Sequence, residues 1–199
     1  MNLYLALILS AIISYLIGSL NFAIIISFLH KKEDIRKYGS KNAGMTNVIR
    51  VYGVSSGIPV FLGDFFKAVV AVYLCDFLFH NVNQYSSYGN LIVGLSVVVG
   101  HLYPVYFNFK GGKGIATSAG FILTQDIKIF IFVACVFILI LLIFKIVGLA
   151  SLCAAVSYPI ASLVFFQNYL AFILSLIISS LVIYSHRSNI KKLLQKIKL

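Results

Sequence analysis

The chain has 199 residues, 61% of them hydrophobic and 11% charged, with a mean hydropathy of +1.01. Soluble domains run at about 45–50% apolar and about 25% charged, so this composition excludes one and allows roughly six or seven spans of about 20 residues, with no separate soluble domain. The net charge of +11, from 16 Lys+Arg against 5 Asp+Glu, marks basic cytoplasmic loops here rather than nucleic-acid binding.

Residues 3–29 form the first apolar run. It exceeds the roughly 7–15-residue core of a signal peptide, and His30, Lys31 and Lys32 follow it with no basic residue before it. It reads as a retained first span with its N-terminus outside. Gly18 and Ser19 let a neighbouring helix approach closely, and Asn21 demands a polar partner. Residues 30–57 are polar and carry Lys31, Lys32, Arg36, Lys37, Lys41 and Arg50, which places them in the cytoplasm.

A second span is predicted at 58–79, with Asp64 and Lys67 three apart inside it. An ionisable residue in a span costs about 2.5–3.5 kcal/mol, so the two either face a cavity or partner, or pair along the helix. Residues 80–89 lack Lys and Arg and fit the outside. A third span at 90–109 runs into residues 101–117, HLYPVYFNFKGGKGIAT. Residues 115–125 are apolar but short. Further spans follow at 127–144, at 147–166 with a kink expected at Pro159, and at 169–185. The tail carries Arg187, Lys191, Lys192, Lys196 and Lys198, suited to anionic head groups.

Parity decides the short segment. The basic tail and the basic 30–50 segment belong on one side, and this holds only if 115–125 counts as a short or partly re-entrant span. The expected architecture is therefore an all-α polytopic membrane protein of seven helices, N-terminus outside and C-terminus cytoplasmic. Cys75, Cys135 and Cys153 lie in apolar runs without metal-ligand spacing, so no disulfide framework and no metal are expected.

Three polar clusters then share the cytoplasmic side. The first runs from Gly39 to Asn47 and ends at Arg50, a set of hydroxyl, amide and guanidinium donors suited to phosphate, or else a loop of turn residues. The second contains Gly111, Gly112, Lys113 and Gly114. It is not a Walker loop, because Phe107 stands at the first glycine position and Gly114 follows the lysine. Glycine N–H groups at a helix start still make an anion nest, to which Lys113 adds charge; a plain Gly-rich turn is the alternative. The third places His186 and Asn189 three apart. Basic residues with Ser, Asn, Thr and Gly, and little acid, describe a site for more than one phosphate. A transporter of a phosphorylated metabolite would use the same basic patch, but spans five to seven offer almost no polar path. A purely structural lipid-binding protein would leave the three clusters unexplained.

Together, GSKNAGMTNVIR (39–50), GHLYPVYFNFKGGKGIAT (100–117) and HRSNI (186–190) resemble the three cytoplasmic motifs of the bacterial membrane glycerol-3-phosphate acyltransferases of the PlsY family. The resemblance covers essentially the whole chain in length and motif order. It implies one acyltransferase domain, 1–199, in the bacterial inner membrane. An acyl group would pass from acyl-phosphate to the 1-hydroxyl of sn-glycerol 3-phosphate, giving lysophosphatidic acid and phosphate, the first acylation of phospholipid synthesis. No cofactor, acyl-CoA or acyl carrier protein is used directly. The implied partners are the two substrates, membrane lipid and, functionally, the enzyme that makes acyl-phosphate, with no nucleic acid.

Carried onto matching positions, Ser40, Arg50 and Lys113 would hold phosphate, with Gly111, Gly112 and Gly114 as the accepting loop. His186 and Asn189 would sit near the reacting carbonyl. Asn42, Thr46 and Asn47 match motif positions, Asp64 and Lys67 match an Asp-x-x-Lys-Gly pattern, and His101 is a supporting residue. The proton acceptor is either His186 or a substrate phosphate oxygen. The chain departs from the family pattern at Ala43, where Pro is common, at Met45, at Ala68, and at Asn21, where the pattern has Pro.

Overall fold

The computed structural model describes residues 1–165 and 168–197, with backbone alone at 86, 87, 192, 196 and 197. Among the described residues all regular structure is helical. The chain divides into two compact units, Met1–Thr124 and Gln125–Leu199.

The first unit opens with α1 (Leu3–Gly18) and α2 (Phe22–Lys31), so the first apolar run is helical but broken. The break has a local cause. Asn21 adopts an extended backbone, and its Oδ1 accepts from the Ile24 N–H at 3.1 Å, an N-cap that starts a new helix. A 3-10 turn at Ile35–Lys37 and helix α3 (Met45–Tyr52) occupy the polar segment. Helix α4 (Val54–Phe79) begins four residues before the expected position, because Gly53 at φ +89° ends α3 and the chain re-enters a helix at once. Helix α5 (Tyr85–Leu102) likewise begins and ends earlier than expected. Pro104 disfavours helical backbone at Tyr103, and the chain turns through 3-10 residues Val105–Phe107. Helix α6 (Ile115–Gln125) has the expected bounds.

Small residues set the packing. A Cβ at Gly18 would fall on the Val97 carbonyl, and one at Gly100 on the Tyr15 carbonyl, so α1 and α5 approach backbone to backbone. Above this contact Ser10 Oγ and Tyr85 Oη are 2.7 Å apart, with both residues fully buried. Helix α6 packs on α4 where Gly120 meets the Phe65 carbonyl, and its Phe121 ring fills the space left by Gly94.

The second unit contains α7 (Ile127–Phe144), α8 (Val147–Phe165), α9 (Tyr169–Ser185) and α10 (Arg187–Ile197). Helix α8 packs against both α7 and α9. Its buried face is small, with Ala150, Ala154, Ala155 and Ala161, and Ser179 Oγ of α9 donates to the Ala155 carbonyl at 2.7 Å. Pro159 lies inside α8, which continues to Phe165. The basic tail forms α10, while Lys198 and the side chains of Lys192 and Lys196 lie outside the described residues.

Long rows of exposed apolar side chains show what surrounds these helices. Leu5, Ile8, Ile12 and Leu16 line α1, Phe66, Val70, Tyr73 and Phe77 line α4, and α7 buries only Ile129. Such surfaces require lipid. Among the described residues five stretches are long and apolar enough to cross a bilayer, and six if α9 and α10 form one bent span. Helix α6, with 11 residues, extends about 16 Å and cannot cross a hydrocarbon layer of about 30 Å by itself.

Gly18→Val and Gly100→Val should each destabilise the first unit by about 1–3 kcal/mol through overpacking against rigid backbone. Thermal unfolding in detergent measures this, with Gly53→Ala as a control that strains φ without a steric clash.

Candidate active site

The site grows out of three buried polar side chains. Asp64, Lys67 and His101 are only 2%, 4% and 4% exposed. Lys67 Nζ donates to Asp64 Oδ1 at 2.8 Å and to the Leu20 carbonyl at 2.8 Å, and it lies 2.9 Å from His101 Nδ1. An ammonium has three N–H donors, and here each meets an acceptor when Nδ1 carries the lone pair. Asp64 Oδ1 also accepts from the Phe22 N–H at 3.4 Å and lies 3.3 Å from His101 Nδ1. Of the two arrangements foreseen for Asp64 and Lys67, both are present. They pair along α4, and they bond across the α1–α2 break to α5.

Above this cluster the polar segment is a tightly tied loop. Asn47 is buried, and its Oδ1 accepts from the Ser40 N–H at 2.7 Å. Its Nδ2 lies within 3.0–3.2 Å of the carbonyls of Ile35, Tyr38 and Asn42. Asn47, expected to bind phosphate, is therefore a clamp whose hydrogen-bonding capacity is spent on the loop itself. The Gly39 backbone, at φ +56°, passes so close that a Cβ would strike Asn47 Oδ1. Ser40, Thr46 and Arg50 are exposed, and their side chains have no hydrogen-bond partner among the described residues. Asn42 is half-buried.

The glycine loop is anchored to the end of α5. The Gly111 N–H donates to the Leu102 carbonyl at 3.1 Å and the Gly112 N–H to the His101 carbonyl at 3.2 Å. This corrects the expected anion nest. These two glycines provide clearance instead, because a Cβ at Gly111 would meet the His101 carbonyl and one at Gly112 would meet His101 Nε2 and the Ala43 carbonyl. Gly114, at φ +85°, carries the turn into α6, where its carbonyl accepts from the Ser118 N–H at 2.7 Å. The first-turn amides of α6 are the ones its own ladder leaves over. Lys113 is half-buried immediately before them.

Gly112 against Ala43 is where the first two clusters meet. Asn21 Nδ2 donates to the same Ala43 carbonyl at 3.3 Å, which gives Asn21 the polar partner it required. A second tie was not anticipated. Arg36 bonds both oxygens of Asp34 and donates through its terminal N–H groups to the carbonyls of Phe107 at 2.8 Å and Lys110 at 2.9 Å. The sequence signal was the Asp-x-Arg spacing, masked by the general basicity of the segment. The Arg36 guanidinium holds the Asp34 carboxyl below its ordinary value of 3.8. The hydroxyls of Thr117 and Ser118, on the first turn of α6, are enclosed without a partner among the described residues.

In the second unit His186 is 3% exposed and caps α9. Its Nδ1 lies 2.8 Å from the Val182 carbonyl, so Nδ1 carries the proton and the neutral ring has its lone pair on Nε2. The Asn189 N–H donates to the His186 carbonyl at 2.8 Å, and the Asn189 amide packs on Gly148 at the start of α8. The three-residue spacing thus makes one turn from two residues at a helix junction.

Comparison with known proteins bears on this arrangement. A family model described as glycerol-3-phosphate acyltransferase matches residues 8–196. A glycerol-3-phosphate acyltransferase of Thermoanaerobacter pseudethanolicus is 42% identical over 94% of this chain and 91% of its own length. One of Finegoldia magna is 42% identical over 96% and 94%. The crystal structure of PlsY (YgiH), an integral membrane glycerol 3-phosphate acyltransferase, in its glycerol 3-phosphate form superposes with a TM-score of 0.86 at 34% identity, covering 96% of this chain and 92% of that one. Its lysophosphatidic acid form gives a TM-score of 0.83 at 33% identity, with the same coverage.

Two outcomes follow from the loop geometry. Asn47→Asp keeps the acceptor for Ser40 but sets a charge against three carbonyl oxygens. It should therefore destabilise the protein at least as much as Asn47→Ala, by about 1–3 kcal/mol, in thermal unfolding. The Asp34–Arg36 tie follows pH with a definite sign. The folded carboxyl titrates below the unfolded one, so the stabilisation is complete above 3.8 and is lost as pH falls through the lower folded value. Asp34→Asn should flatten that part of the acid limb of the melting-temperature profile.

Proposed function

Because the chain belongs to the glycerol-3-phosphate acyltransferase family, we propose that it moves an acyl group from acyl-phosphate to the 1-hydroxyl of sn-glycerol 3-phosphate, releasing lysophosphatidic acid and inorganic phosphate. The carrying observation is the meeting of Ala43 with Gly112, which joins the loop of Ser40, leading into α3 with Arg50, to that of Lys113 at the start of α6. Ser40, Asn42, Thr46, Arg50 and Lys113 form a donor set for phosphate oxygens, aided by Gly114 and the first-turn amides of α6. The family neighbour with lysophosphatidic acid supports the product.

In this reading the glycerol hydroxyl oxygen attacks the acyl carbonyl carbon. The bond from that carbon to the bridging phosphate oxygen breaks, and phosphate leaves with the electron pair. Cationic and N–H groups stabilise the oxyanion and the departing phosphate. The hydroxyl proton goes to His186 Nε2, whose lone pair the Val182 bond assigns, or to a phosphate oxygen of the substrates. Asn189 holds the turn on which His186 sits. No metal or cofactor takes part. The donor's reactivity as a mixed anhydride suits a site with so few carboxylates.

The whole chain works as one acyltransferase domain in the bacterial inner membrane. Helix α6 is a seventh, short membrane segment, the N-terminus is outside, and the site and C-terminus are cytoplasmic, in line with the basic segments. The acyl-phosphate-producing enzyme is the functional partner, and membrane lipid is both solvent and destination of the product.

Full-length protein in detergent, given acyl-phosphate and labelled glycerol 3-phosphate, should form lysophosphatidic acid. Lys113→Ala and Arg50→Ala should each lower kcat/KM by about 10²–10³. Absence of product, or full activity with acyl-CoA as donor, would sink this reading.

A further inference from the structure

The His101 imidazole is buried, yet only its Nδ1 edge is engaged. Nδ1 faces Lys67 Nζ at 2.9 Å and Asp64 Oδ1 at 3.3 Å. Among the described residues no hydrogen bond reaches Nε2, and Nε2 is not one of the sealed unpartnered atoms, which are Asn90 Oδ1, Thr117 Oγ1 and Ser118 Oγ. It therefore retains an opening. That opening lies beside Gly112, since a Cβ there would land on Nε2 and on the Ala43 carbonyl. The neighbouring residue is Lys113, and the partner loop of Ala43 carries Ser40 and leads into α3, which bears Arg50.

The ring's proton can be placed. Lys67 has three N–H donors, and the Leu20 carbonyl, Asp64 Oδ1 and His101 Nδ1 account for all of them. Nδ1 faces Lys67 Nζ at 2.9 Å and the competing acceptor Asp64 Oδ1 only at 3.3 Å, so Nδ1 accepts from the nearer ammonium and the neutral ring then carries its proton on Nε2. The α4 ion pair thus acts as a tautomer lock, and a buried N–H donor is turned toward the seam between the two loops. Gly112 is a glycine where a side chain would cover that donor.

We propose that His101 Nε2–H is a direct donor to a phosphate oxygen of the bound substrate, with Lys67 and Asp64 as positioning residues that fix its tautomer. This rests on the phosphate-site reading above and adds a contact to it. A hydrogen bond between a neutral N–H and a phosphate dianion is charge-assisted and moves no proton.

Two substitutions separate the edges of the ring. The amide nitrogen of Gln reaches the position of Nε2, whereas the amide of Asn reaches only that of Nδ1. If His101 serves substrate, His101→Gln should stay within about tenfold of the parent. His101→Asn should then lose roughly ten- to hundredfold in kcat/KM, the worth of one hydrogen bond to a charged group, mainly through KM for the phosphorylated substrate. Equal or better activity of His101→Asn would show that His101 merely satisfies Lys67, and would overturn the proposal.

Should either variant fail to fold, the parent protein decides by NMR. Full-length protein labelled with 15N-histidine has four histidines to resolve. One of them should show an Nε2–H tautomer and a shift of that signal on adding inorganic phosphate. It is assigned to His101 by subtracting the His30, His80 and His186 signals in single variants at those positions. An Nδ1–H tautomer, or a signal unmoved by phosphate, overturns the assignment. Failure of the acyltransferase reading looks different, as the unaltered protein would then make no lysophosphatidic acid, while the phosphate titration needs no turnover.

Discussion

A helix that breaks inside lipid leaves backbone groups with nowhere to go, and the first unit is built around meeting that demand. Between Gly18 and Phe22 the α-helical ladder is interrupted. The Ile24 N–H goes to Asn21, the Phe22 N–H to Asp64 and the Leu20 carbonyl to Lys67. Two charged groups on α4 are tolerated because they pair with each other and complete another helix's hydrogen bonds. Their third neighbour, His101, passes this order to the glycine loop through its carbonyl and its ring. The two polar loops thus rest on an interior polar cluster instead of on apolar packing alone.

The same view explains what the sequence disclosed. Helices α6, α7 and α9 have the bounds that apolar runs and their punctuation suggested, because the length of an apolar run is a one-dimensional property. The existence of α6 came from charge parity alone. What escaped was the division of labour among polar residues. Asn47 and Arg50 look equally fit for phosphate in a motif, but burial assigns Asn47 to three carbonyls and leaves Arg50 exposed. Gly111 and Gly112 read as amide donors, yet the end of α5 takes those amides. Arg36 hid among lysines because its targets are backbone carbonyls about 70 residues away, which no side-chain pattern encodes.

Two of the departures from the family pattern also find a physical link. Asn21 and Ala43 are distant in the chain, but the Asn21 amide donates to the Ala43 carbonyl. Asn21 caps α2 with its oxygen and holds the first polar loop with its nitrogen, so one substitution performs two tasks. Met45 packs beside the apolar cluster of Ala23, Ile24, Ile35, Ala43, Val48 and Val60 beneath that loop. The rigidity a proline would bring to position 43 is supplied here by a tether.

The three-residue spacing of Asp64 and Lys67 matters before the protein is complete. During synthesis α4 emerges ahead of α5, so His101 does not yet exist beside it. An acid and a base one helical turn apart can already neutralise each other as α4 leaves the ribosome and partitions into the bilayer. The helix enters as a self-contained dipole and exchanges only its spare hydrogen bonds when later segments arrive. Had the partners sat on different helices, each would have crossed into lipid as a lone ion. The order of biogenesis is written into that spacing as much as the final fold is.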